Sequence, residues 1–368
     1  MNKIFLTITF FLSLCVSTLG FQSVSFAILS DNVSNLKSCG DNDRTAACNG
    51  VCKTNASGHI VIGELGLPVD ADDATNYVDN CSMIPDFYRV TLYSGGLCTA
   101  DPYSASGTTV DYTTNCDLFF KDISGRVITL THSGDGTATA SPSLTENSDN
   151  FNLDYNKEYT HAFMVMSNHL QIKHSTTFDF SGTSTASKMQ GGGASAESEG
   201  VVCWSTDSTS TFSNLDGTGH GRTLRAGGGT FGEASTQCGD TLGGTHAYAT
   251  EIIETFGEAT GNWGGTIEPR MAYSASPLDI GGTKAAILLQ DIDGVKTTVA
   301  TTMENGVAML YAVALTTPLA ITEETTTFNI GFGLSGSVSV DFTTKDGSNE
   351  LYIVKHGADP VDIKFTAE

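Results

Sequence analysis

Eight cysteines, Cys39, Cys48, Cys52, Cys81, Cys98, Cys116, Cys203 and Cys238, constrain this chain most, because they follow a segment patterned as an export signal. That segment, residues 1–27, has a cationic start at Lys3, an apolar run from Ile4 through Phe21, and small residues at Ser25 and Ala27. The pattern predicts cleavage before Ile28 and delivery to an oxidising compartment. A ninth cysteine, Cys15, leaves with the signal. An even number of remaining thiols predicts four bridges. Local order pairs Cys98 with Cys116 and Cys203 with Cys238, since each pair brackets a polar stretch between apolar runs, and leaves the first four to pair among themselves.

Charged residues make up only 16% of the chain, and Gly, Ser and Thr fill the spaces between short apolar runs, which points to a β-rich extracellular protein. Tyr88, Val90 and Leu92 alternate with Arg89, Thr91 and Tyr93 as a strand with one buried face would. The same period of two returns in Phe328, Ile330, Phe332 and Leu334, then in Val338, Val340 and Phe342, in residues 351–354, and in Val361, Ile363 and Phe365. The C-terminal third thus reads as successive antiparallel strands. Asn305-Gly306 predicts a hairpin between residues 297–303 and 307–315, and Asp346-Gly347 and Ser124-Gly125 predict further turns. Residues 248–256 fit either a helix, by their Ala, Glu and Ile content, or a strand with Tyr248, Thr250, Ile252, Glu254 and Phe256 on one face.

Composition divides the chain into a signal (1–27), a cysteine-rich acidic segment (28–82), a first β-unit (83–180), a Gly/Ser/Thr-rich loop region with one disulfide (181–245) and a second β-unit (246–368). Residues 182–200, with Gly191-Gly192-Gly193, read as a loop or linker. Residues 87–92, the passage Leu153-Asp154-Tyr155-Asn156-Lys157-Glu158-Tyr159-Thr160-His161-Ala162-Phe163, and residues 328–342 resemble the strand cadence of prealbumin-like and collagen-adhesin repeat sandwiches. The resemblance implies antiparallel β-sandwich units of prealbumin-like or Ig-like type, disulfide-stapled, with little helix. It also implies service as stalk, pilus or adhesin modules.

A formal charge of −23 excludes nucleic acid and anionic membrane as natural partners, and no second long apolar run predicts a membrane span in the mature chain. Gly227 to Gly232 and Gly331 to Gly336 both spell G-x-G-x-x-G, but neither sits between a strand and a helix as a dinucleotide site requires. No G-x-S-x-G elbow marks a nucleophile. His161, His169 and His174 lie on adjacent strand-like segments, where a hairpin would let two of them share a metal. Asp70, Asp72 and Asp73, and separately Asp291 and Asp293, are dense enough in hard oxygens for a structural Ca2+ ion, although neither set completes an EF-hand loop. Trp204, next to Cys203, is expected to pack on the disulfide, and Trp263, set among glycines, is the expected exposed contact for a ligand or partner. These features together predict a non-enzymatic protein of the cell surface or of an extracellular filament, pilus-like structure, layer or adhesin, secreted and self-associating or bound to surface proteins and glycans. Strand addition by residues 28–36 is one route to assembly. A secreted carbohydrate- or calcium-binding module is the alternative, and an extracellular hydrolase the third.

Overall fold

The computed structural model describes residues 36–37, 52–63, 66–78, 80–102, 109–132, 137–141, 153–154, 156–183, 187–191, 198–211, 236–253, 270–274, 283–292, 296–300, 306–322, 328–334, 336–345, 348–358 and 361–367. The signal segment, Cys39, Cys48, Trp263 and Asp293 lie outside them, as does the strand-addition segment apart from Leu36.

All regular elements among the described residues are strands. The first are β1 (Leu36–Lys37), β2 (Ile60–Val61), β3 (Tyr77–Val78), β4 (Asn80–Met83), β5 (Phe87–Cys98), β6 (Thr109–Asp111), β7 (Cys116–His132) and β8 (Thr137–Ser141). There follow β9 (Glu158–Ser167), β10 (His169–Lys173), β11 (Ser175–Asp179), β12 (Met189–Gly191), β13 (Glu199–Gly200), β14 (Val202–Ser205), β15 (Ser208–Thr211), β16 (Thr236–Gly239) and β17 (Ala249–Ile252). The last are β18 (Arg270–Ser274), β19 (Thr283–Leu289), β20 (Lys296–Thr298), β21 (Ala308–Ala320), β22 (Phe328–Gly333), β23 (Val338–Lys345), β24 (Ser348–Ala358) and β25 (Asp362–Ala367). Residues 249–252 therefore take the strand option, with Ala249 and Glu251 inward. Among the described residues no helix is long and apolar enough to cross a membrane.

The largest sheet runs β18-β19-β21-β9-β5-β7-β8-β22-β25, with β10, β17 and β15 branching from β5. A four-stranded sheet runs β16-β14-β11-β2 and a five-stranded one β13-β12-β24-β23-β4. The expectation of purely antiparallel sheets is corrected, since β2 with β11, β12 with β24 and β15 with β17 pair in parallel. Parallel neighbours arise here because segments far apart in the chain insert beside one another, which no local turn dictates. The C-terminal strands form where alternation places them, but β22 pairs with β25 while the β23–β24 hairpin joins β4 in another sheet. Asn305 lies outside the described residues, and the strands expected to flank its turn take other partners: β20 pairs with β6, and β21 lies between β19 and β9. Residues 189–191, expected in a linker, are fully buried strand, because Met189 enters the core and Gly191 lies against the backbone of Thr236 and Gln237. Strands from 83–180 and 246–368 share the largest sheet through the β9–β21 ladder.

One hydrophobic cluster joins Tyr88, Val90 and Leu92 of β5 to Phe178 of β11 and to Val340, Phe342 and Val354 of the β23–β24 hairpin. A second lies on the other side of the large sheet, where Phe163, Val165 and Leu310 meet Val110, Tyr112 and Val299 around the β6–β20 ribbon. The C-terminal part of β9 and the N-terminal part of β21 are consequently buried on both faces, and their sequences lose alternation and become continuous apolar runs. Gly95 and Gly96 of β5 lie between these layers. A Cβ on Gly96 would stand 2.6 Å from the Phe163 ring and 2.7 Å from the backbone oxygen of Asp117. Gly96→Ala is expected to lower stability by about 1–3 kcal/mol, read as a lower urea midpoint at unchanged m-value; an unshifted midpoint would show that the sheet yields there.

β9 and β10 follow each other along one edge of β5, with Asn168 at their junction. Its buried amide donates to the carbonyls of Ile253 and Gly306, both at 3.1 Å, and so ties the end of β17 to the approach to β21. Near the other end of β9, the buried Tyr159 hydroxyl donates to Asp117 at 2.6 Å and accepts from the Asp154 amide, while the Lys157 ammonium lies 2.8 Å from Asp117.

Among the described residues three disulfides join Cys52 to Cys81, Cys98 to Cys116 and Cys203 to Cys238. The last two are the expected pairs, and each links residues directly opposed in register, on β5 with β7 and on β14 with β16.

Candidate functional site

The chain passes from the large sheet to the four-stranded sheet through a single residue, His174, between β10 and β11. Its backbone is held by Ser205, whose hydroxyl accepts from the His174 amide at 3.0 Å and donates to the Ala247 carbonyl at 2.7 Å. Its ring meets that of His356, from β24 of the third sheet, edge to face at 5.1 Å. Thr176 Oγ1 lies 3.0 Å from His174 Nε2 and 3.1 Å from His356 Nε2. A hydroxyl has one proton, so it donates to one imidazole and accepts from the other, and the two neutral rings take opposite tautomers. The His356 amide donates to Thr236 Oγ1. Beside this pair, Glu251 Oε2 accepts from the Ala358 amide at 2.7 Å, and Glu251 Oε1 lies 3.7 Å from Lys355 Nζ.

A hydroxyl 3.0 Å from an imidazole nitrogen has the spacing of a nucleophile and its base. Thr176, His174 and His356 are nevertheless only 2–3% exposed, so no substrate reaches them, and their chemistry is that of a seam between three sheets. Burial pushes His174 down to about 4, against a smaller opposing pull from Asp86, and pushes His356 well below the usual histidine range. Both rings are neutral at pH 7.

The accessible side of the same region is different. Phe87 and Arg89 of β5, Gln171 and Lys173 of β10, and Thr250 of β17 lie in register on the outward face, because their inward neighbours Tyr88, Ile172 and Glu251 enter the interior. The Arg89 guanidinium stacks 3.7 Å over the ring of Tyr248, just before β17. Lys173 Nζ stands 6.0 Å from the ring of Phe87, which is 38% exposed. Gln171 donates to Thr250 at 2.9 Å, and Val127, beyond Arg89 on β7, is 47% exposed. At the rim the Ser175 hydroxyl donates to Asp86 at 3.0 Å, and His246 Nε2 lies 4.0 Å from the same carboxylate. Partial burial holds the His246 pKa below its ordinary value, and Lys173 adds to that.

The residues marked in the sequence are placed elsewhere. Asp70, Asp72 and Asp73 share one turn, where Asp70 accepts from the Asp72 amide and Asp73 from the amide and hydroxyl of Thr75 and from Asn76. Asp291 is half-buried beyond β19, and its Oδ1 has no hydrogen-bond partner. Among the described residues no three His, Cys, Asp or Glu side chains gather as metal ligands would. The expected hairpin of His161, His169 and His174 does not form, because β9 and β10 run on along one edge of β5. Trp204 packs not on its neighbouring disulfide but on the opposite face of β14, against Gly239 and Gly243, and donates to Thr245 at 2.9 Å; successive strand residues point to opposite sides. Thr176, Glu251, Lys355 and His356 went unmarked in the sequence, although a Lys-His pair closing the apolar run 351–354 is the signal that singles out the last two. No protein-family model matches this chain, and neither does any curated protein or solved structure compared with it.

Proposed function

We propose that this is an exported, non-enzymatic structural protein that is displayed at the cell surface or built into an extracellular filament or layer. The observation that carries the reading is the placement of the disulfides. Cys98–Cys116 and Cys203–Cys238 each lock two strands already opposed in register, and Cys52–Cys81 ties the N-terminal turns to β4. Each bridge adds about 2–4 kcal/mol by constraining the unfolded chain. Bonds of this kind persist in oxidising surroundings and suit a part that must last outside the cell. The resemblance to prealbumin-like and adhesin sandwiches supports the same role, with the outward face of β5, β10 and β17 as its contact surface. Immunogold electron microscopy of the exporting cell is expected to decorate an appendage or an ordered surface coat. Label confined to the medium, with none on the cell, would sink the proposal.

A further inference from the structure

We infer that the outward face carrying Arg89 and Lys173 docks an acidic stretch of a second copy of this chain. The inference rests on the assembly reading above and names its partner. The chain has 41 acidic and 18 basic residues. In such a chain cations are scarce, yet among the described residues neither Arg89 nor Lys173 forms an ion pair with a carboxylate. Each lies against an aromatic ring instead, Arg89 on Tyr248 and Lys173 near Phe87. Stacking fixes the plane of a guanidinium before any ligand arrives, so less side-chain freedom is lost when a carboxylate is gripped by two parallel N–H donors. Thr129 and Gln171, opposite Arg89 on the flanking strands, give it polar neighbours, and the exposed Phe87 and Val127 supply apolar margins.

An extended carboxylate-rich segment fits this surface, and 41 acidic residues make every neighbouring copy a source of one; the net charge of −23 repels whole copies, so the attraction is local to this face and acts where salt screens the rest. The two surfaces in such a contact differ, one basic and one acidic. A contact of that kind, where it is heterologous, builds a ring if the rotation between copies closes and an open chain if it does not.

Sedimentation velocity of the exported protein over a range of concentrations, at about 0.15 M salt where charges beyond roughly 8 Å are screened, tests the inference. The wild-type protein is expected to show species that grow with concentration, and Arg89→Glu/Lys173→Glu to weaken that association at least tenfold while keeping the wild-type circular dichroism spectrum. If the reversed charges disturb folding, Arg89→Ala/Lys173→Ala serves in their place. Equal assembly by wild type and variant overturns the role of this face and leaves self-assembly standing. A wild-type protein that stays monomeric throughout overturns both. Monomeric protein that binds a sulfated glycan array through Arg89 and Lys173 assigns the face to an anionic sugar, and the second-copy inference falls.

Discussion

Acidification from pH 6.5 towards pH 4 is expected to remove stability from this protein at about 1.4 kcal/mol per pH unit for each buried histidine that stays neutral. In the unfolded chain His174 and His356 bind a proton near pH 6.5. In the folded chain His174 resists protonation down to about 4 and His356 is held down in the same direction. Between those limits the unfolded state holds more protons, so the contribution is complete above about pH 6.5 and is lost as the pH falls through the folded value. A proton entering the seam meets a second imidazole at 5.1 Å, with His246 and His132 as further protonatable neighbours of His174 and Asp86 opposing them. Urea midpoints at pH 7 and pH 4.5 should differ clearly, and two histidine ring signals should remain untitrated at pH 5.5 by NMR. Equal midpoints, or eight rings all titrating near 6.5, would remove the idea. Asp179, whose pKa its hydrogen bonds with Ser181 and Asn55 hold down, acts only below its ordinary carboxylate range and leaves the upper window to the histidines.

Glu251→Ala is the substitution expected to do most damage. Lys355 is wholly buried and its charge faces Glu251, which also accepts the Ala358 amide. Removing one partner of a buried pair leaves the other charge in a poor solvent and costs about 3–5 kcal/mol. Replacing both, as Glu251→Leu/Lys355→Met, removes the stranded charge and is expected to recover most of that loss. A double-mutant cycle in urea measures the coupling; single and double variants of equal stability would mean that Lys355 finds water when Glu251 is gone.

The parts legible in the sequence were those where one physical constraint acts on neighbouring residues. Tyr88, Val90 and Leu92 alternate with Arg89 and Thr91 because β5 has one buried face there, and the strands of the last forty residues were visible for the same reason. Cys98 with Cys116 and Cys203 with Cys238 were legible because short separations and polar intervals suit cross-strand bridges. Pairing between distant segments was not legible. Nothing local tells Gln190 to lie beside Ile353, or Thr176 to share its hydroxyl with a histidine 180 residues away. The outward position of Arg89 followed from alternation, but the ring beneath it comes from Tyr248, and only the fold brings the two together.

The disulfides also decide what a single peptide-bond cut does to the molecule. Among the described residues they close the rings 52–81, 98–116 and 203–238, so a protease that cleaves between Cys203 and Cys238 leaves one covalent molecule until it is reduced. Beyond Cys238 the sequence has no cysteine, so a cut there releases every later residue from covalent attachment. After a cut beyond Glu251, the tail that holds β24 would remain through its ladders, through the apolar contacts of Val340, Phe342 and Val354, and through the side chains that Glu251, Thr176 and Thr236 offer to Lys355, His356 and Ala358. Past Glu251, the ladders, the apolar core and the buried polar seam together do the holding that sulfur does earlier in the chain.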